Sequence, residues 1–82
     1  MFINVRGKVA WTATRIDPSY VRLVLIDSGH LDPADRVAEG AVNADVVSAI
    51  DILKGERLEV RNNMFTVTVP MGIPRVIDIE HR

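Results

Sequence analysis

The 82-residue chain contains no cysteine, which removes disulfides, thiolate metal sites and a cysteine nucleophile together. The compartment stays open, because many exported domains also lack disulfides. No uninterrupted apolar run exceeds Leu23–Ile26, far below the roughly 20 residues that cross a bilayer. The opening residues Met1-Phe2-Ile3-Asn4-Val5-Arg6 hold no apolar core of signal-peptide length. Excess positive charge is missing too. Ten Lys and Arg face eleven Asp and Glu, for a net charge of −1 and a pI of about 6.0. Neither a nucleic acid nor a membrane surface is therefore an expected partner, since both ask for a basic face.

Chemical motifs are equally sparse. The five glycines are scattered, with no Gly-x-Gly or Gly-Lys-Ser/Thr arrangement to cradle a phosphate. Ser28, His30 and Asp51 can be written as a triad, but no Gly-x-Ser-x-Gly elbow presents the serine. No catalytic site and no cofactor are expected, and the chain is read as not an enzyme.

What remains is an ordinary globular composition. Apolar residues make up 48% and charged residues 26%, enough Val, Ile and Leu to offset the ordering entropy. The length suits a single domain over 1–82. A domain this small buries only about 60% of its unfolded surface, which leaves little room for a deep cleft.

Period-2 alternation dominates the chain. Ile3, Val5, Gly7, Val9, Trp11, Ala13 and Arg15 share one parity and are mostly apolar, the mark of a half-buried strand, with Gly7 as a bulge or bend. Asp17-Pro18-Ser19 reads as a turn. Tyr20–Ile26 is apolar on both faces apart from Arg22 and is expected in the middle of a sheet. A polar loop follows over 27–36, where Asp32-Pro33 has the form of a helix N-cap.

Residues 37–54 admit two readings. Val46, Ala49, Ile50 and Leu53 fit helical spacing, with Gly55 at a C-cap position. The β-branched residues among them favour strand. Further on, Leu58–Arg61 and Met64–Val69 read as a hairpin about Asn62-Asn63, a pair that tolerates positive φ. Met71-Gly72-Ile73-Pro74 is a loop, and Arg75–Ile79 is a closing strand with Val76 and Asp78 on one face, Ile77 and Ile79 on the other. His81 is expected to fray. The sum is an all-β fold: a small Greek-key β-sandwich or partly open barrel of about six strands, with one short helix as an option within 33–54.

The segment from Ala49-Ile50-Asp51-Ile52-Leu53-Lys54-Gly55-Glu56 through the strand Leu58–Arg61, the turn Asn62-Asn63 and the strand Met64–Val69 to Pro70, closed by Pro74-Arg75-Val76-Ile77-Asp78-Ile79, resembles a known family. It is similar to the small C-terminal β-sandwich domains that follow catalytic barrels in glycoside hydrolases, including the amylase type. The resemblance covers roughly residues 46 to 79. It implies strand plus turn for 46–54 and a non-catalytic accessory domain, because the family's catalytic carboxylates lie in the barrel. The partner it implies is another protein domain; a homo-oligomer partner or a carbohydrate are the alternatives.

Two sets of side chains are candidates for binding. Trp11 and Tyr20 are the single Trp and Tyr, and an exposed aromatic ring can stack on the C–H face of a sugar. The competing reading is core or rim packing. Asp27, His30, Asp32 and Asp35 bring carboxylate and imidazole ligands within nine residues and could hold a divalent ion, calcium above all. Their spacing matches no EF-hand loop and no two-histidine zinc motif. A solvated turn in which Asp caps backbone amides competes with that reading. Arg57, Arg61 and Arg75 alternate with Glu56, Glu59 and Asp78, which suggests a mixed-charge face.

Overall fold

The computed structural model describes residues 2–28 and 34–82, and among these every regular element is a strand. In chain order they are β1 (Ile3–Arg6), β2 (Val9–Asp17), β3 (Tyr20–Asp27), β4 (Arg36–Val42), β5 (Val46–Asp51), β6 (Glu56–Arg57), β7 (Met64–Val69) and β8 (Arg75–His81). A three-stranded sheet in the order β1-β4-β7 faces a five-stranded sheet in the order β2-β3-β8-β5-β6. All pairings are antiparallel. The result is a sandwich rather than a closed barrel.

The two layers take turns along the chain. Strands of the small sheet are never sequence neighbours, since β2 and β3 intervene before β4, and β5 and β6 before β7. The first crossing falls at Gly7. The alternation over 2–16 suggests one bent strand, but β1 and β2 belong to different sheets. Gly7 sits at φ +132°, and a Cβ there would lie 2.7 Å from the Val37 carbonyl oxygen and 3.2 Å from the Ala38 Cα. Only a residue without a side chain lets the chain cross so close to β4. Gly7→Ala is expected to lower stability by roughly 1–3 kcal/mol through that clash, read as a lower urea midpoint at unchanged slope. An unchanged midpoint would mean that the crossing tolerates a side chain.

β3 lies between β2 and β8, the central place its composition predicts. Its inward residues Val21, Leu23 and Leu25 are buried, and so are Ile77 and Ile79 opposite them on β8. From the small sheet Ile3, Ala38, Val42, Phe65, Val67 and Val69 complete the core. Burial on β8 alternates strictly, as the closing-strand reading requires. The strand runs on to His81, which is paired with Val46 and buried rather than frayed.

The helical option within 33–54 is not taken. β5 pairs with β8 through a register shift between Val46 and Ser48, after which Ala49 and Asp51 point inward. The apparent helical spacing comes from that bulge plus the turn that follows. Gly55, at φ +69°, closes the turn with its N–H donated to the Asp51 carbonyl at 2.7 Å. The expected hairpin is present only at its tip. Asn62 and Asn63 have φ of 51° and 59°, as a two-residue turn of type I′ requires, and Arg61 and Met64 exchange both backbone hydrogen bonds at 2.9 Å. Beyond that bridge the strands part. β7 pairs with β4, while Leu58 donates its N–H to Ala49 at 2.8 Å and buries its side chain. Burial of Leu58 against the large sheet outweighs a longer local hairpin.

Candidate functional site

Chemistry-bearing groups occupy four places. The first is the open side of the sandwich, between edge strands β1 and β2. Trp11, Ala13 and Arg15 of β2 stand opposite Leu25, Leu23 and Val21 of β3, so all three project from the inward face. The four-residue β1 is too short to cover them. Phe2, Ile3, Trp11, Ala13, Arg15 and Val21 therefore line a groove of about 320 Å³. Trp11 is half-buried with one side against the core. The Arg15 guanidinium lies 5.4 Å from the centre of the Phe2 ring and donates one N–H to the Pro18 carbonyl at 3.1 Å. Phe2 also meets the His81 ring, with centroids 4.8 Å apart.

The second place is the outer face of the large sheet. Tyr20 and Arg22 of β3 stand opposite Glu80 and Asp78 of β8. Arg22 makes a two-pronged pair with Asp78, at 2.8 and 3.0 Å. A hydrogen bond to Glu80 is the largest of several influences that raise the Tyr20 hydroxyl pKa above its ordinary 10.0. Trp11 and Tyr20 thus lie on opposite faces of one sheet and do not form a joint platform.

The third is the polar loop. Asp27 accepts from the Arg36 guanidinium at 3.0 Å and from the Ala34 N–H at 3.3 Å. Asp35 accepts from the Met71 N–H at 2.9 Å. Asp27 thus joins an ion pair and a backbone cap, and Asp35 caps a backbone N–H. His30 and Asp32 lie outside the described residues, and among the described residues no three His, Asp or Glu side chains gather as a metal cluster.

The fourth is buried. Asp51 and Arg75 form an ion pair inside the sandwich, with side chains 0% and 6% exposed. Asp51 Oδ1 also accepts from the N–H groups of Leu53 and Lys54 at 2.9 and 3.0 Å, and Arg75 donates to the Thr68 carbonyl at 2.6 Å. These bonds all run within the fold, so the pair fastens the β5–β6 turn to β7 and β8. Arg75 therefore leaves the mixed-charge face expected from sequence, whereas Arg61 is paired with Glu59 at 2.7 Å.

The apolar surface is concentrated at one end of the sandwich. Backbone contacts bring together the loops there: Ser28 donates to Lys8, Ile52 to Val76, and Met71 to the Asp35 side chain. Of the nine exposed large apolar residues among those described, Ile26, Val37, Ile52, Leu53, Met71 and Ile73 stand at this end. Leu53 and Val37 are more than 60% exposed.

Residues 4–80 match the lambda-carrageenase C-terminal domain family. The chain belongs to this family. Lambda-carrageenases of Pseudoalteromonas carrageenovora and of a further Pseudoalteromonas species are each 32% identical to it over 80 residues, which take in 95% of this chain and 8% of the enzyme. The chain thus spans less than a tenth of those relatives. The apo exo-carrageenase GH42 from Bacteroides ovatus contains the same fold, with a TM-score of 0.78 at 9% identity over 99% of this chain and 11% of that one. The family match supports a small C-terminal accessory domain of a glycoside hydrolase, as the resemblance over 46 to 79 implies, with a carrageenase as the matched enzyme and no match to the amylase type among these relatives. The match extends that resemblance to the first half of the chain.

Sequence reasoning singled out Trp11 but not its neighbours in the groove. Arg15 was legible, four residues along on the same parity. Phe2 was not, because it reaches the groove only through the sheet crossing at Gly7. The apolar end was equally hidden, since its members come from four separate loops and strand ends.

Proposed function

We propose that this chain is a non-catalytic accessory domain that packs, through the apolar end of its sandwich, on the catalytic portion of a glycoside hydrolase. The observation that carries the reading is the gathering of Ile26, Val37, Ile52, Leu53, Met71 and Ile73 at one end. Exposed apolar side chains gathered at one end, rather than scattered singly over the surface, mark a contact. Two further features support it. The family is one of C-terminal domains, and the relatives are more than ten times longer than the matched segment. Among the described residues, Asp27, Asp51, Asp78 and Glu59 are each held by an arginine, which gives these four carboxylates a supporting role.

The test is a chimera in which this chain replaces the matching segment of the Pseudoalteromonas carrageenovora enzyme. Amide exchange at residues 52–54 and 71–73 is expected to slow in the chimera relative to the isolated chain. Leu53→Ser with Ile73→Ser should lower the chimera's melting temperature while leaving that of the isolated domain nearly unchanged. Equal exchange in both contexts would end the docking reading. The isolated chain is expected to release no reducing ends from lambda-carrageenan.

A further inference from the structure

We propose that the groove between β1 and β2 is a binding site for a short segment of an anionic polysaccharide, with Trp11 as the stacking surface and Arg15 as the partner of the anionic substituent. The proposal does not depend on docking through the apolar end. The groove runs along β2 away from the apolar end, from Trp11 opposite Leu25 to Arg15 opposite Val21.

Three observations support it. The groove is built by the sheet architecture, because β2 overhangs a β1 of only four residues. Its volume of about 320 Å³ falls at the lower end of the range for small-ligand sites. Trp11 is held from behind by the core while its ring still lines the groove, so the ring is fixed before any ligand arrives and loses little entropy on binding. Arg15 adds charge. It is exposed, and no salt bridge joins it to a carboxylate among the described residues. Its contacts are the Phe2 ring and one carbonyl, which leaves most of its five N–H donors for a sulfate or carboxylate.

Spacing fits a polymer rather than a single sugar. Trp11 and Arg15 are four residues apart on one strand face, about 13 Å at the strand rise. A ring stacked on Trp11 and an anionic group at Arg15 then belong to different residues of one chain. Two other open depressions among the described residues lack this combination. The one lined by Glu39, Glu59, Arg61, Met64, Phe65 and Thr66 has two carboxylates and a cation already paired. The one lined by Asn4, Arg6, Glu39, Ala41 and Met64 has no aromatic ring.

The test uses the chain's single tryptophan as its probe. Fluorescence of Trp11 is followed during titration with a sulfated galactan oligosaccharide, its desulfated counterpart and sodium sulfate, with amide shifts as the map. Expected are a saturable change with the sulfated oligosaccharide, shifts centred on Phe2, Trp11 and Arg15, and about tenfold weaker binding for Arg15→Gln or for the desulfated sugar. Arg15 is exposed, so this variant is expected to fold. Sodium sulfate alone should leave the ring unperturbed. The proposal is overturned if no saturable change occurs, if shifts map to the Tyr20 face instead, if Arg15→Gln binds as well as the parent chain, or if sulfate alone reproduces the response.

Discussion

Phe65→Ala is expected to lose roughly 3–5 kcal/mol of stability, the upper range for a core substitution. Phe65 of β7 is 3% exposed and stands directly opposite Gly40 of β4. Its ring lies over that glycine, so a Cβ at position 40 would come within 2.8 and 2.9 Å of two ring carbons and closer still to the ring tip. The glycine supplies no side chain to collapse into the space a truncated Phe65 would leave, so the cavity stays open. In a domain whose total stability is of the order of 5–15 kcal/mol, that loss brings the chain near its threshold at 37 °C. Gly40→Ala forces the opposite error and should cost about 1–3 kcal/mol by overpacking. Combined with Phe65→Leu it should cost less than the two separate losses added, because the new methyl group enters the vacated space. Urea unfolding of the four proteins measures this cycle. Strict additivity would show that ring and glycine do not share one volume.

The second large effect is expected at the ion pair between Asp51 and Arg75. Removing one partner, as in Asp51→Ala, leaves a guanidinium that is almost wholly buried without its counter-charge, and such a loss costs about 3–5 kcal/mol. Replacing both by apolar residues, as Asp51→Leu with Arg75→Met, should recover much of it, although the turn at Leu53 and Lys54 then lacks its carboxylate cap. Acid reports on the same pair. Burial pushes the Asp51 pKa up, but hydrogen bonds from the Lys54 N–H, Arg75 and the Leu53 N–H, with the Arg75 charge, outweigh it and hold the pKa below its ordinary 3.8. The folded chain therefore binds this proton less readily than the unfolded chain. Its stabilisation is complete above about pH 3.8 and disappears as pH falls through the folded value. Asp51→Asn should be less stable at neutral pH and show a flatter stability profile in that acid window. A variant profile parallel to that of the parent chain would assign the acid sensitivity to other carboxylates.

The parts of the fold that were legible in the sequence are those governed by local alternation and turn chemistry. β3 and β8 carry unbroken patterns, and Asn62-Asn63 and Asp17-Pro18-Ser19 mark their turns plainly. What escaped was decided between distant segments. Gly7 looked like a bend because nothing local reveals that β4 passes 2.7 Å from where its Cβ would be. The hairpin pairing beyond Arg61 and Met64 was lost to β4, which offers β7 a partner whose Gly40 accommodates Phe65. Residues 46–53 carried a helical period because a bulge shifts their register by one and a turn follows at Asp51. The same split governs the groove. Trp11 and Arg15 share a visible parity, whereas their third partner, Phe2, is set by a change of sheet.

The place of β8 has a consequence for how the domain comes off a ribosome. This last strand lies between β3 and β5, so until it emerges the large sheet exists as two fragments, each with a bare inner edge. Both edges display unpaired backbone groups beside apolar side chains, Leu23 and Leu25 on one and Ala49 on the other. A nascent chain that stalls before residue 75 offers other chains a template for intermolecular pairing. Final closure is then the arrival of a single keystone strand, and the interval before it is when a chaperone has most to do.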